Sequence, residues 1–122
     1  MSTEVATAPN FKLCPKFEKT FNILGKKWNG LIIDVLLSEG PQRFKDLASK
    51  VDKCSDRVLV ERLKELEADG LLERVTQPNS CRVLYQLTDQ GQALRPVMES
   101  IHTWAETWYS LADCQIAKSF CG

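Results

Sequence analysis

The sequence predicts an α+β fold, mainly α, and three observations carry that prediction. A short amphipathic segment, Phe44 to Val51, precedes the turn Asp52-Lys53-Cys54, and an unbroken helical pattern then runs from Ser55 to Asp69. Two apolar-alternating runs follow, Leu72 to Val75 and Arg82 to Leu87, joined by the turn-rich Thr76-Gln77-Pro78-Asn79-Ser80-Cys81. Helical patterns lie on both sides of this unit. Helix, turn, helix and hairpin in that order make a winged helix-turn-helix, and the outer helices are expected to dimerise.

The length of 122 residues suits one domain, and 43% hydrophobic with 26% charged residues is the composition of a globular protein. Residues 1–10 show no periodicity and read as a flexible tail, leaving 11–122 as a single domain. The longest aliphatic run, Leu31-Ile32-Ile33, stops at Asp34, and no basic segment followed by an apolar one opens the chain. A cytoplasmic protein with no membrane partner is therefore expected. Sixteen Lys or Arg balance sixteen Asp or Glu, but unevenly along the chain. Residues 12–27 hold five Lys and one Glu, residues 43–64 hold seven cations and four acids, and residues 65–75 hold four acids and one Arg. A basic front with an acidic back permits contact with nucleic acid through one face.

From Pro15 a first helix is expected, because Pro favours the first helical position and Phe17, Phe21 and Leu24 follow at helical spacing. Gly25 ends it. A second helix runs from about Trp28 to Ser38, with Trp28, Leu31, Ile32, Val35 and Leu36 as its apolar face, and Gly40-Pro41 stops it. In the longer central helix Ser55 is the expected N-cap, Asp56 complements the dipole and Gly70 supplies a left-handed C-terminal position. Leu59, Leu63 and Leu66 fall on one face; Arg57, Glu61 and Lys64 fall opposite, with Val60 beside them. A second helix of this kind enters the major groove of double-stranded DNA, so Ser55, Arg57, Val60, Glu61 and Lys64 are candidate reading residues. Arg43 and Lys53 before the helix, and Arg82 near the hairpin tip, are candidate phosphate contacts. In the second strand Val83, Tyr85 and Leu87 alternate and should face the core.

Thr88 then caps a helical stretch from Asp89 to about Ala112, in which Pro96 predicts a kink or break near Ala93 to Leu94. Leu94, Val97, Met98, Ile101, Trp104, Ala105, Trp108, Tyr109 and Ala112 make a stripe too aromatic for a solvated helix. Part of it is expected to bury against a second copy of the chain, with Phe17 and Phe21 of the first helix helping Ile101, Trp104, Ala105 and Trp108. Enzymatic activity is not expected, since His102 is the single histidine and no glycine-rich phosphate loop or nucleophile with a base is present. No cysteine pair has C-x-x-C spacing, so neither a metal nor another cofactor is expected. A protein-association module with ordinary buried cysteines is the alternative reading.

Five cysteines, Cys14, Cys54, Cys81, Cys114 and Cys121, are many for a chain expected in the cytoplasm. Cys14 stands at a helix N-terminus among Lys12, Lys16 and Lys19, surroundings that favour a thiolate, which makes it the expected reactive thiol. Cys54 is its rival, with Lys53 before it and a helix just after. Cys114 follows Asp113 near a helix C-terminus, and Cys81 has only Arg82 adjacent.

The chain resembles the HxlR-type winged-helix transcriptional regulators in Cys14-Pro15, Leu24-Gly25-Lys26-Lys27-Trp28 and Gly40-Pro41 with Arg43-Phe44. The run Arg62-Leu63-Lys64-Glu65-Leu66-Glu67-Ala68-Asp69-Gly70-Leu71 and the set Tyr85, Leu87, Thr88 and Gly91 extend the match over roughly Cys14 to Trp108. The resemblance implies a homodimeric DNA-binding protein, usually a repressor. A cysteine just before the first helix is similar to that of the thiol-sensing, YodB-like and HypR-like branch, which responds to quinone, aldehyde or hypochlorite stress. By that likeness a small electrophile or oxidant is the expected inducer, and Cys14 pairs with a thiol of the other subunit. Cys114, Cys121 and Cys54 are the candidates in that order. A winged-helix regulator without redox sensing remains the other possibility within the family. Cys54 stands where the family commonly has an aliphatic residue, and Ser80-Cys81 replaces a Pro-rich wing tip.

Overall fold

A computed structural model describes residues 11–114. The tail expected over 1–10 and Cys121 lie outside the described residues. In chain order come α1 (Pro15–Leu24), α2 (Asn29–Glu39), α3 (Phe44–Lys50), α4 (Asp56–Ala68), β1 (Leu72–Thr76), β2 (Val83–Leu87), α5 (Asp89–Gln92) and α6 (Arg95–Trp108).

The core forms where α2, α3 and α4 converge on the foot of the hairpin. Leu59, Leu63 and Leu66 of α4 are buried together with Leu47 of α3, Ile32, Ile33, Leu36 and Leu37 of α2, and Leu71, Leu72 and Leu87. Removing one such side chain from water stabilises the fold by about 1.5–3 kcal/mol, which fixes the α4 stripe inward and leaves its opposite side in solvent. The face of α2 differs from expectation. Ile33 and Leu37 are core residues, whereas Leu31 points outward at 54% exposure; Trp28 packs against the core as expected, but as the N-cap residue just ahead of the helix. The apolar residues of α2 are spread around the helix, and the polar Asn29 is itself buried, so no single face stands out as the buried side.

Local chemistry sets the ends of the elements. The Ser55 hydroxyl accepts from the Val58 amide at 3.2 Å and starts α4. Gly70, with φ of 84°, turns the chain out of α4 into β1, a backbone angle that other residues adopt only with strain. Thr88 accepts from the Gly91 amide at 3.2 Å and donates to the Gly70 carbonyl at 2.6 Å, so one side chain caps α5 and closes the turn after α4. Gly91 lies directly under the Leu71 carbonyl, leaving no room for a β-carbon.

The two strands pair antiparallel in the register Leu72 to Leu87 through Thr76 to Val83. Gln42 adds a short third edge: its amide donates to the Tyr85 carbonyl at 2.9 Å, and its carbonyl accepts from the Tyr85 amide at 2.7 Å. Tyr85 and Leu87 pack inward as expected, but Val83 is exposed, because the outer part of the hairpin extends beyond the core.

The break predicted near Ala93 to Leu94 separates α5 from α6, with Pro96 in the first turn of α6. The helix expected to reach Ala112 ends instead at Trp108. Tyr109 is extended, and Ser110 opens a new turn in which its amide and hydroxyl both donate to Asp113 Oδ2 at 3.0 Å. This local cap competes with continuation of the helix. Among the described residues no helix is long and apolar enough to cross a membrane.

Candidate nucleic-acid interface and thiols

The side of α4 opposite the leucine stripe presents Arg57, Val60, Glu61 and Lys64 to solvent, with Ser55 exposed at its start. Among the described residues Arg57 and Lys64 form no salt bridge. Lys53 is exposed in the turn before α4. Arg43 is half-buried at the start of α3, where its amide donates to Asp46 Oδ2 at 3.2 Å and its guanidinium lies 3.5 Å from the same oxygen. The backbone hydrogen bond from Arg43 is the main reason that the Asp46 carboxyl stays below its ordinary range. Arg43 is therefore partly committed within its own turn. Arg82 is exposed at the wing tip, its amide donating to Ser80 Oγ at 3.0 Å.

The α3–α4 unit is tied to the wing by Gln42, which is 8% exposed and accepts from Lys50 Nζ at 2.8 Å. The sequence reading missed this residue. A polar side chain between Pro41 and Arg43 carries no periodic signal of burial, and only the pairing with Tyr85 assigns it a place. Arg62 was also missed as more than a motif residue. It lies beside the leucine stripe, 17% exposed, with Nε donating to the Lys27 carbonyl at 3.2 Å and Nη1 lying 3.2 Å from Glu65 and 3.9 Å from Glu61.

The thiols divide by exposure. Cys14 is the exposed N-cap residue of α1, with extended backbone and no side-chain bond to the helix. Cys81 on the wing and Cys114 after α6 are exposed as well. Cys54 is 5% exposed within the core cluster, its Sγ donating to the Ser55 carbonyl at 3.6 Å. Burial pushes its thiol up, with Asp56 adding to the rise while Arg62 and Lys27 oppose it. The folded chain thus argues against Cys54 as a sensor, since a neutral and enclosed thiol is a poor nucleophile. Among the described residues no cluster of His, Cys, Asp and Glu is arranged to hold a metal.

Between α1 and α6 lies an apolar groove of about 680 Å³, walled by Phe17 and Phe21 on one side and by Val97, Ile101 and Trp104 on the other. Phe17 and Phe21 stack on each other at 4.8 Å, and Trp104 meets Tyr109 edge-on at 5.7 Å. Trp104 and Trp108 are 56% and 67% exposed, and Ala105 is half-buried on the inner side of α6. Arg95 anchors the start of α6 through the Leu37 carbonyl at 3.2 Å, and His102 anchors it to Asp34 of α2 at 2.8 Å.

A helix-turn-helix backed by a buried leucine stripe, fronted by exposed polar side chains and followed by a two-stranded wing defines a transcriptional regulator of the helix-turn-helix type. The chain belongs to the HxlR-like helix-turn-helix family, whose sequence profile matches residues 23–113. It is 43% identical over 102 residues to the HTH-type transcriptional regulator YodB of Bacillus subtilis (strain 168), covering 83% of this chain and 90% of that one. The solved reduced form of YodB superposes with a TM-score of 0.71 at 44% identity, over 80% of this chain and 95% of that one. Quinone-bound YodB superposes with a TM-score of 0.69 at 44% identity, over 79% and 100%. These relatives are DNA-binding regulators, a class without enzymatic activity.

Proposed function

We propose that this chain is a homodimeric repressor that binds a pseudo-palindromic operator in the cytoplasm and is released when Cys14 is oxidised or modified by an electrophile. The observation that carries the reading is the position of Cys14. It is an exposed residue at the N-cap position of α1, and the same helix supplies Phe17 and Phe21 to the apolar groove with α6. A thiol at the edge of a surface of this kind is accessible to a small reagent and adjacent to the second subunit that the groove would bury. The existence of a quinone-bound form of the relative YodB supports the electrophile part of the reading.

On the DNA side, Arg57 offers two parallel donors to a guanine edge, Lys64 is a point charge for phosphate, and Ser55, Val60 and Glu61 complete the reading surface. Lys53, Arg82 and the uncommitted part of Arg43 would hold the backbone on either side. On the thiol side, an oxidant such as diamide removes two electrons and two protons from Cys14 and a thiol of the other subunit. A disulfide forms and diamide becomes the hydrazine. A quinone would instead accept the Cys14 sulfur at a ring carbon and the proton at a ring oxygen, leaving a thioether of the hydroquinone. Cys114 is the preferred partner, ahead of Cys121, whereas Cys54 would first have to leave the core. Either modification alters the seam between subunits and so the spacing of the two α4 helices.

The test is a mobility-shift assay on DNA upstream of the chain's own gene, with diamide and then reductant, for wild type and Cys14→Ser. Wild type is expected to bind, to release with formation of a covalent dimer, and to recover. Cys14→Ser is expected to bind and stay bound. A Cys14→Ser protein that still cross-links and still releases DNA would remove Cys14 from the role.

A further inference from the structure

The link between α1 and α2 is clasped to the back of α4 by bonds that reading DNA does not require. Lys26 Nζ lies 3.0 Å from Glu65 Oε1, and Arg62 Nη1 reaches the same oxygen at 3.2 Å. Arg62 Nε donates to the Lys27 carbonyl, and the Lys27 ammonium sits 5.0 Å over the ring of Trp28. Hydrogen bonding from Lys26, aided by the charges of Lys26 and Arg62, holds the Glu65 carboxyl below its ordinary range. Trp28 itself has φ of 81°, the single positive value outside glycine among the described residues. Such a conformation persists only where its surroundings over-determine it.

The clasp matters because α1 is held only at its C-terminal end, where the buried Asn29 side chain also donates to the Ile23 carbonyl at 2.9 Å. The helix has no buried residue, and only Ile23 and Leu24 in its last turn pack against the core. A ten-residue helix is a lever about 15 Å long, with Cys14 at its free end and the clasp at its fixed end. We infer that Arg62, together with Lys26 and Glu65, is a positioning residue that couples α1 to the recognition helix, so that displacement of α1 re-aims α4. The inference rests on the thiol-controlled reading above and adds the route by which the thiol reaches the DNA face.

The experiment measures operator affinity of wild type, Arg62→Gln and Lys26→Ala, each reduced and diamide-treated, with thermal melting as a check on folding. Both variants are expected to melt cooperatively and to bind operator when reduced. The ratio of reduced to oxidised affinity should shrink by roughly 2- to 30-fold relative to wild type, more in Arg62→Gln than in Lys26→Ala. A merely structural role would weaken both states by the same factor and leave the ratio unchanged. That result, with a responsive wild type, overturns the coupling while the thiol reading stands. A wild type that keeps its operator under diamide overturns both. Should Arg62→Gln fail to fold, Lys26→Ala decides alone, because its ion pair is more than a third exposed on each side and dispensable for folding.

Discussion

Cys14 and Cys54 each stand just ahead of a helix with lysine nearby, yet one is exposed and the other is part of the core. What separates them is packing rather than local sequence: Cys54 occupies the corner between α3 and α4, and Cys14 precedes a helix that packs on the core only through its last turn. The same scale governs His102, the single histidine. Its hydrogen bond to Asp34, reinforced by the Asp34 charge and more weakly by Glu106, raises its pKa above 6.5. A raised folded-state value means that the pair supports the fold fully below about pH 6.5 and loses that support as pH rises through the folded value. The expected outcome is a histidine ring titration by NMR with a midpoint above 6.5 in wild type and clearly lower in Asp34→Asn. A midpoint unmoved by that substitution would mean the two side chains do not meet in solution.

At the scale of elements, α6 shows how one stripe is shared between two uses. Met98 is buried, Leu94 and Ala105 are half-buried, and Val97, Ile101, Trp104 and Trp108 remain exposed. The inner side fastens α6 to the domain through Met98, Arg95 and His102, while the outer side adjoins the groove that Phe17 and Phe21 complete. Each tryptophan offers on the order of 150–250 Å² for burial. Trp104→Ala with Trp108→Ala is therefore expected to convert a dimer to a monomer in sedimentation while leaving the melting of the helix-turn-helix unit cooperative. Operator affinity should fall steeply with it. An intact dimer from the double variant would assign the exposed stripe to some other partner.

At the scale of the molecule, the balance of 16 cations and 16 acids predicts modest non-specific affinity, which the proposed dimer would offset by engaging DNA with two copies of α4. In the proposed dimer, two α4 helices related by a two-fold axis would meet successive major grooves about one turn, 10–10.5 base pairs, or a small multiple apart. Hydroxyl-radical footprinting is expected to show two protected patches at that spacing on one side of the duplex. Arg57→Ala should cost roughly 1–3 kcal/mol and relax preference at one base pair in each half-site. A single patch, or unaltered base preference, would count against this arrangement.

The α3–α4–β1–β2 order, the leucine stripe, both N-caps and the break before α6 were legible in the chain because each rests on bonds or spacings within a few residues. Ser55 caps α4 from three residues away, and Leu59, Leu63 and Leu66 must share a face at 100° per residue whatever surrounds them. The buried side of α2, the enclosure of Cys54, the place of Gln42 beside Tyr85 and the grip of Arg62 on the Lys27 carbonyl were decided only by tertiary structure. Those partners are distant in sequence, as with Arg62 and Lys27, 35 residues apart, and a helix whose apolar residues are spread around it turns toward whichever neighbours arrive. Periodicity determines which residues face alike along one element, and packing between elements determines which of those faces meets water.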